Sequence, residues 1–333
     1  MAILITVLIF VLIIGLCIGS FLNVCILRAL SGESIVFPAS KCPKCGNKLK
    51  WWHNIPVLSY IFLRGKCGFC KEHISIQYPI IEILTGIIFT LEFMYFGITL
   101  DTLFMWIISA LLIIIAGTDI KEKVVFDVHT YSLIGVSILY AVGKTIFAVW
   151  QMHHLMPGYT LPSMSWLENP LTSSVLGALA GVIIMEIFAR LGYLVAGTRA
   201  FGEGDTLIAA GMGALFGWYQ LIFVLILSAV IQVLIYLPIF IKGLICNKDW
   251  KTLISFVSFA VFAVLFCLFQ NRMEIGALYI VCSIILAVLG GATCIFIFKN
   301  LREKPENRTY LPFGPAMVSA TFFVILAEMM LAG

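Results

Sequence analysis

Two short acidic stretches in an otherwise apolar chain carry residues that could do chemistry together: Gly117-Thr118-Asp119 and Phe201-Gly202-Glu203-Gly204-Asp205. Each follows an apolar run long enough to cross a bilayer, so Asp119 and Asp205 fall where membrane helices meet water, a setting in which an ionisable group is commonly functional. Two neighbouring aspartates can hydrolyse a peptide bond. The ionised one takes a proton from water and the protonated one donates to the carbonyl oxygen, because like charges cannot both ionise cheaply and the pair shares a proton. Gly202 and Gly204 lack side chains, which would let the backbone approach an extended substrate strand or adopt positive φ. Asp127, eight positions beyond Asp119, immediately precedes an apolar run and reads as a helix cap. The same dull reading, an interfacial cap or solvated loop residue, applies to either of the other aspartates taken alone.

A second constellation is Cys42-Pro-Lys-Cys45 and Cys67-Gly-Phe-Cys70. Two Cys-x2-Cys pairs place four soft ligands on two turns that can close a tetrahedral Zn2+ site. The surrounding segment has too little apolar material to fold alone, and metal binding could supply its folding free energy. Two disulfides or a pair of redox sites are the alternatives, and a cytoplasmic location disfavours the first. His53 and His73 flank the pairs as surface or supporting residues. The other cysteines, such as Cys17 and Cys25, lie mostly in apolar runs and read as small core residues.

The elements that must position these groups are membrane helices. Of 333 residues, 62% are hydrophobic and 11% charged, against about 25% charged in soluble domains. Runs of the right length predict an all-α polytopic membrane protein with helices near 4–27, 79–97, 102–117, 129–150, 173–197, 206–218, 220–242, 253–269, 276–298 and 312–331. The net charge of +4 does not indicate a nucleic-acid partner, because the basic residues sit in short connecting segments. With the N-terminus outside, all of the 21 Lys and Arg except Lys144 and Arg272 fall in inner segments, eight of them in 28–78. That asymmetry puts both aspartates and the cysteine pairs on the cytoplasmic side and 151–172 outside. The first run lacks a basic n-region and a cleavage site and reads as a retained helix. The implied organisation is a first transmembrane helix (1–27), a cytoplasmic zinc-binding segment with its four cysteines (28–78) and a membrane-embedded domain (79–333). Glu82 and Glu186 lie inside predicted helices; Glu82, near the inner end, could contribute to a site.

On these residues the chain resembles the prepilin peptidases, or type IV leader peptidases. The resemblance rests on Gly19-Ser-Phe-Leu-Asn-Val24, the cysteine pairs, Asn54-Ile-Pro-Val-Leu-Ser-Tyr60, Leu63-Arg-Gly-Lys-Cys67 and Ile74-Ser-Ile-Gln-Tyr-Pro79. It continues through Asp119 with Asp127, Gly202-Glu-Gly-Asp205, and Tyr310-Leu-Pro-Phe-Gly-Pro315. It implies catalysis by Asp119 and Asp205 and cleavage of the basic leader of prepilins and pseudopilins at the cytoplasmic face of a bacterial inner membrane. Members with the cysteine-bearing loop commonly also methylate the new N-terminus with S-adenosylmethionine; no nucleotide fingerprint in 28–78 shows where that cofactor would bind. The chain departs from the family at Phe126, usually Pro, and Thr206, usually Lys. Residues 253–298 look like an extra helical hairpin.

Two other classes compete. An ion- or proton-coupled transporter would carry further charges at the bilayer midplane and broken inverted repeats; no internal repeat is evident, and the acids cluster at one face. A membrane scaffold recruiting a partner through the cysteine loop would make Asp119 and Asp205 expendable.

Overall fold

The computed structural model describes residues 2–37, 39–155, 169–196, 201–246, 248–269, parts of 281–293, and 312–332. In chain order these form α1 (Ala2–Ser31), a 3-10 turn (Trp51–Asn54), the short α2 (Leu58–Phe62), α3 (Gln77–Phe96), α4 (Leu100–Glu122), α5 (Asp127–Leu155), α6 (Pro170–Ala196), α7 (Glu203–Cys246), α8 (Trp250–Phe269) and a last helix, Gly314–Ala332. Among the described residues the only β pairing is two isolated bridges, Lys41 with Lys48 and Lys66 with His73. Seven of the helices are long and apolar enough to cross a membrane. The protein is an all-α, polytopic membrane protein.

The helices extend a few residues beyond the apolar runs. The extension matters most in α4, which continues through Asp119 to Glu122 because Lys123 adopts the left-handed conformation (φ 56°) and its N–H closes onto the Asp119 carbonyl. Asp119 therefore lies in the last turn of a helix, not in the loop that follows. The two runs expected at 206–218 and 220–242 form α7 without an intervening loop. They meet at Gly217, whose φ of 79° and ψ of 173° break the helix at one residue; a Cβ there would strike the Ser173 hydroxyl, so only glycine fits. The first arm of the expected extra hairpin is α8, whereas most of its second arm, 276–298, and the basic segment 299–311 lie outside the described residues, as does most of 151–172.

By contact density the chain divides into two compact units. One holds residues 1–185, 203–228 and 312–333; the other holds 186–202 and 229–311.

The first unit is packed by glycines at helix crossings. In a bilayer lipid tails are as apolar as leucine, so helices associate through close backbone approach and not through a hydrophobic drive. A Cβ on Gly15 would stand 2.7 Å from the Gly86 Cα, and one on Gly19 2.7 Å from the Glu82 Cα, so this Gly-x3-Gly pair seats α1 directly on α3. The second pair, Gly177 and Gly181, meets Gly213 and Ala209 in the same way and locks α6 to the first part of α7. Gly117 clears Ile26 and joins α4 to α1. Around these contacts Leu22, Cys25, Ile26, Ile81, Ile113 and Ile114 form a buried apolar cluster. Glu92 is buried in α3 and accepts a hydrogen bond from the Ser109 hydroxyl of α4.

In the second unit, Thr293 donates to the Ser255 carbonyl at 3.1 Å, tying α8 to the helical residues 288–293. Glu186 pairs with Arg190 one turn on, at 3.1 Å.

Candidate active site

Asp119 is 4% exposed and Asp205 6%. Charged side chains are almost never buried to this degree without partners, and both sit at helix ends of the first unit. Asp205 occupies the first turn of α7 and lies near enough that its charge is felt at Asp119. The third participant comes from 195 positions along the chain: the Gly314 backbone N–H donates to Asp119 Oδ2 at 3.0 Å.

The physics of that bond is plain. Gly314 opens the last helix, so its N–H is one of the first-turn donors with no partner inside the helix. A carboxylate is the natural acceptor there, since helix N-termini carry partial positive charge. Asp119, at the negative C-terminal end of its own helix, is thus met by the N-termini of two others. Only glycine fits at 314: a Cβ would stand 2.5 Å from Asp119 Oδ2 and 3.3 Å from Ile208. Pro315, in the first turn, lacks an N–H but sits where none is needed.

Gly204 has a similar steric role, and of the two roles expected for it the positive φ is not adopted. It is helical, with no positive φ, and a Cβ on it would lie 2.6 Å from Val125 Cβ. The close approach is to the α4–α5 connection of this chain and brings Asp205 toward the helix that ends in Asp119. Gly202 is half-buried just before α7. Asp127 stands apart: it is exposed, in the first turn of α5. The Phe126 carbonyl accepts from the His129 and Thr130 N–H groups at 3.0 and 3.3 Å, so Phe126 opens α5 where the family usually places Pro. Thr206, at the position of the usual Lys, is buried at 8% exposure.

The cysteine segment is organised as two matching turns. In the first, Gly46 N–H closes onto the Cys42 carbonyl at 2.9 Å; in the second, Lys71 N–H closes onto that of Cys67 at 3.1 Å. The residue after each second cysteine is left-handed, Gly46 at φ 70° and Lys71 at 63°. All four Sγ atoms lie within 4.8 Å of one another, with Cys42 and Cys70 at 3.9 Å. Thiolates about 2.3 Å from a tetrahedral zinc ion would stand about 3.8 Å apart, so the donor set fits the metal. No described cysteine is in a disulfide. Backbone N–H groups of Phe69 and then Cys70 pull the Cys67 thiol down to about 7, whereas the Cys70 thiol, despite the lowering hydrogen bond from the Glu72 backbone, is pushed up to about 11 by desolvation and the neighbouring sulfurs, so the crowded thiols share their protons unevenly.

Several positioning contacts are not legible in the sequence. Gly314 lies within a recognised block, but its partner cannot be inferred across such a separation. Glu82, 6% exposed, accepts the Val57 N–H at 2.7 Å and so ties the cysteine segment to α3. Asn23 bridges α1 to α3 by donating to the Tyr78 carbonyl at 3.1 Å. The signal for the last two is a polar residue inside an apolar run.

Buried paired carboxylates at helix ends in a membrane bundle are the equipment of a membrane aspartic peptidase. Comparison with known proteins agrees. Residues 13–96 match the bacterial peptidase A24 N-terminal domain and residues 106–237 the type IV leader peptidase family. Proteins named prepilin leader peptidase/N-methyltransferase share 32% identity in Neisseria gonorrhoeae, over 66% of this chain and 77% of the relative, and 31% in Klebsiella pneumoniae, over 65% and 87%. The Myxococcus xanthus relative of the same name is 31% identical over 66% of this chain, which spans 59% of that protein's length. No solved structure matches. The chain belongs to the type IV leader peptidase family.

Proposed function

We propose that this protein is an aspartic endopeptidase that removes the basic leader of prepilins and pseudopilins at the cytoplasmic face of a bacterial inner membrane. The observation that carries this reading is the burial of Asp119 beside Asp205, with the Gly314 N–H fixed on one Asp119 oxygen. In the proposed reaction the ionised member of the pair takes a proton from water as its oxygen bonds to the scissile carbonyl carbon. The protonated member donates to the carbonyl oxygen. As the tetrahedral intermediate collapses, the C–N bond breaks and the amine leaves with a proton returned by the pair. The Gly314 N–H orients Asp119 throughout without transferring a proton.

Zn2+ held by Cys42, Cys45, Cys67 and Cys70 would be structural, since four thiolates leave no open position for substrate. N-methylation of the trimmed pilin, with S-adenosylmethionine as methyl donor, rests on the relatives' name, and residues 28–78 are its proposed seat. The test is incubation of the purified protein in detergent with a prepilin, with and without S-adenosylmethionine, followed by mass spectrometry. A product shortened by the leader, and heavier by one methyl group only when the cofactor is added, is expected. An intact prepilin would overturn the peptidase reading.

A further inference from the structure

The cysteine segment leaves an apolar helical face uncovered. In α2, Leu58, Ile61 and Phe62 stand at positions i, i+3 and i+4, one side of a helix, and are 51%, 61% and 80% exposed. Ser59, Tyr60 and Leu63 on its other side are half-buried. The adjoining 3-10 turn, in contact with α2, adds Trp51 and Trp52, 76% and 44% exposed with rings 5.5 Å apart. Lys50 places its ammonium 4.9 Å above the Trp52 ring. Water is a poor solvent for such a face.

Its height relative to the bilayer is fixed by a hydrogen bond. Val57, the residue before α2, donates its N–H to Glu82 at 2.7 Å, and Glu82 is the sixth residue of the membrane-spanning α3. Five residues of helix rise about 7 to 8 Å, so the start of α2 is held roughly that far in from the end of α3. That is the thickness of a headgroup layer, about 5 to 8 Å on each side of the hydrocarbon core. The segment around the face is also strongly basic, with eight Lys and Arg in 28–78 against Glu33 and Glu72.

We propose that the Trp51–Phe62 face is a membrane-interface anchor that inserts Leu58, Ile61 and Phe62 among the acyl chains of the adjoining leaflet. Trp51 and Trp52 lie at the headgroup level, where aromatic rings with a polar edge are enriched. Lys50 and Arg64, flanking the two elements, extend their apolar stems and keep their charge among anionic phosphates. The partner is an anionic phospholipid surface. A basic leader peptide carries the wrong sign for a segment with this charge balance. The anchor is independent of the peptidase reading, because it uses neither aspartate.

The test uses the full chain in lipid nanodiscs, with the Trp51→Phe, Trp52→Phe double variant subtracted to isolate the emission of this tryptophan pair. Phospholipids brominated near the glycerol end of the acyl chain should quench about half of that difference emission, whereas aqueous acrylamide should quench it several-fold less than it quenches free tryptophan. Replacing a third of the phosphatidylcholine with phosphatidylglycerol should deepen the protection. Leu58→Ser with Ile61→Ser and Phe62→Ser should restore acrylamide access several-fold. The wild-type measurement decides the matter even where that triple variant does not fold. Difference emission untouched by bromolipid and fully open to acrylamide would overturn the proposal. So would protection that arises only on adding a prepilin, which would make the face a substrate site, or only when two copies share a disc.

Discussion

The carboxylate site and the cysteine segment belong to the same compact unit yet are built on opposite plans. Asp119 and Asp205 are buried groups held by helix ends that meet from three separate stretches of sequence, so the site exists only when the bundle is packed. The cysteine segment spans fewer than 30 residues between its first and last ligand, with exposed apolar side chains and no core of its own. Its geometry is set by two local turns and four thiols. The comparison teaches that in a bilayer precision comes from packing of backbone on backbone, whereas a small segment without a core would draw its cohesion from a bound metal.

The largest expected effect breaks the two regions apart. Asp119→Asn or Asp205→Asn should lower prepilin cleavage by about a thousandfold or more, since no remaining carboxylate can act as both acid and base. The double variant should be scarcely worse than either single one, because groups that act as a unit lose activity non-additively. Zinc content, measured by metal analysis of the purified protein, should be unchanged in all three. The reciprocal variants, Cys42→Ser with Cys67→Ser, should lose the metal and leave the helical circular dichroism intact. Substantial cleavage by stably expressed Asp205→Ala would remove Asp205 from the pair. Unchanged zinc in the double cysteine variant would remove the metal site.

Next in size is Gly314→Ala. A Cβ 2.5 Å from Asp119 Oδ2 must push the carboxylate or the last helix aside. Loss of one preorganised backbone donor and a displacement of this order should lower the rate of leader cleavage by about 10- to 100-fold, with substrate binding largely kept. Gly314 shows where the sequence stops being legible. The aspartates, the cysteine pairs and most helices can be read locally from residue type, spacing and apolar run length. The partner of Asp119 cannot, because it is a backbone N–H 195 positions away whose role depends on where the last helix begins. The two Gly-x3-Gly crossings fall between these cases: the spacing is visible, but which helix receives it is not. Gly204 is the instructive case, since its lack of a side chain is legible while the neighbour requiring it, Val125, is not.

Asp127→Asn should have a smaller consequence. An exposed acid in the first turn of α5 interacts with the helix dipole and little else, an interaction of about 0.3 to 1 kcal/mol. Cleavage should fall no more than about fivefold, the factor to which such an energy corresponds through its effect on the α4–α5 connection. A loss as deep as that of Asp119→Asn would place Asp127 in the reaction itself, and would shift the pair from Asp119 and Asp205 to a set that includes it.

The smallest effect lies within the cysteine segment, where the two turns differ at one position. Both need a left-handed residue after the second cysteine, and the first turn uses Gly46 while the second uses Lys71. A side chain in that conformation costs about 1 kcal/mol, but glycine gives back a comparable amount through the greater freedom of the unfolded chain. Lys71→Gly should therefore change the rate of zinc release to a chelator by less than about threefold in either direction. Gly46→Ala is the same exchange in reverse: it adds the steric cost, gains the offset from a less free unfolded chain, and finds no new contact in its open surroundings. It should speed release by less than about threefold. A large effect at one position and none at the other would mean that the turns are not equivalent metal-binding halves, and that one of them holds its shape through contacts with the membrane face and not through the thiolates.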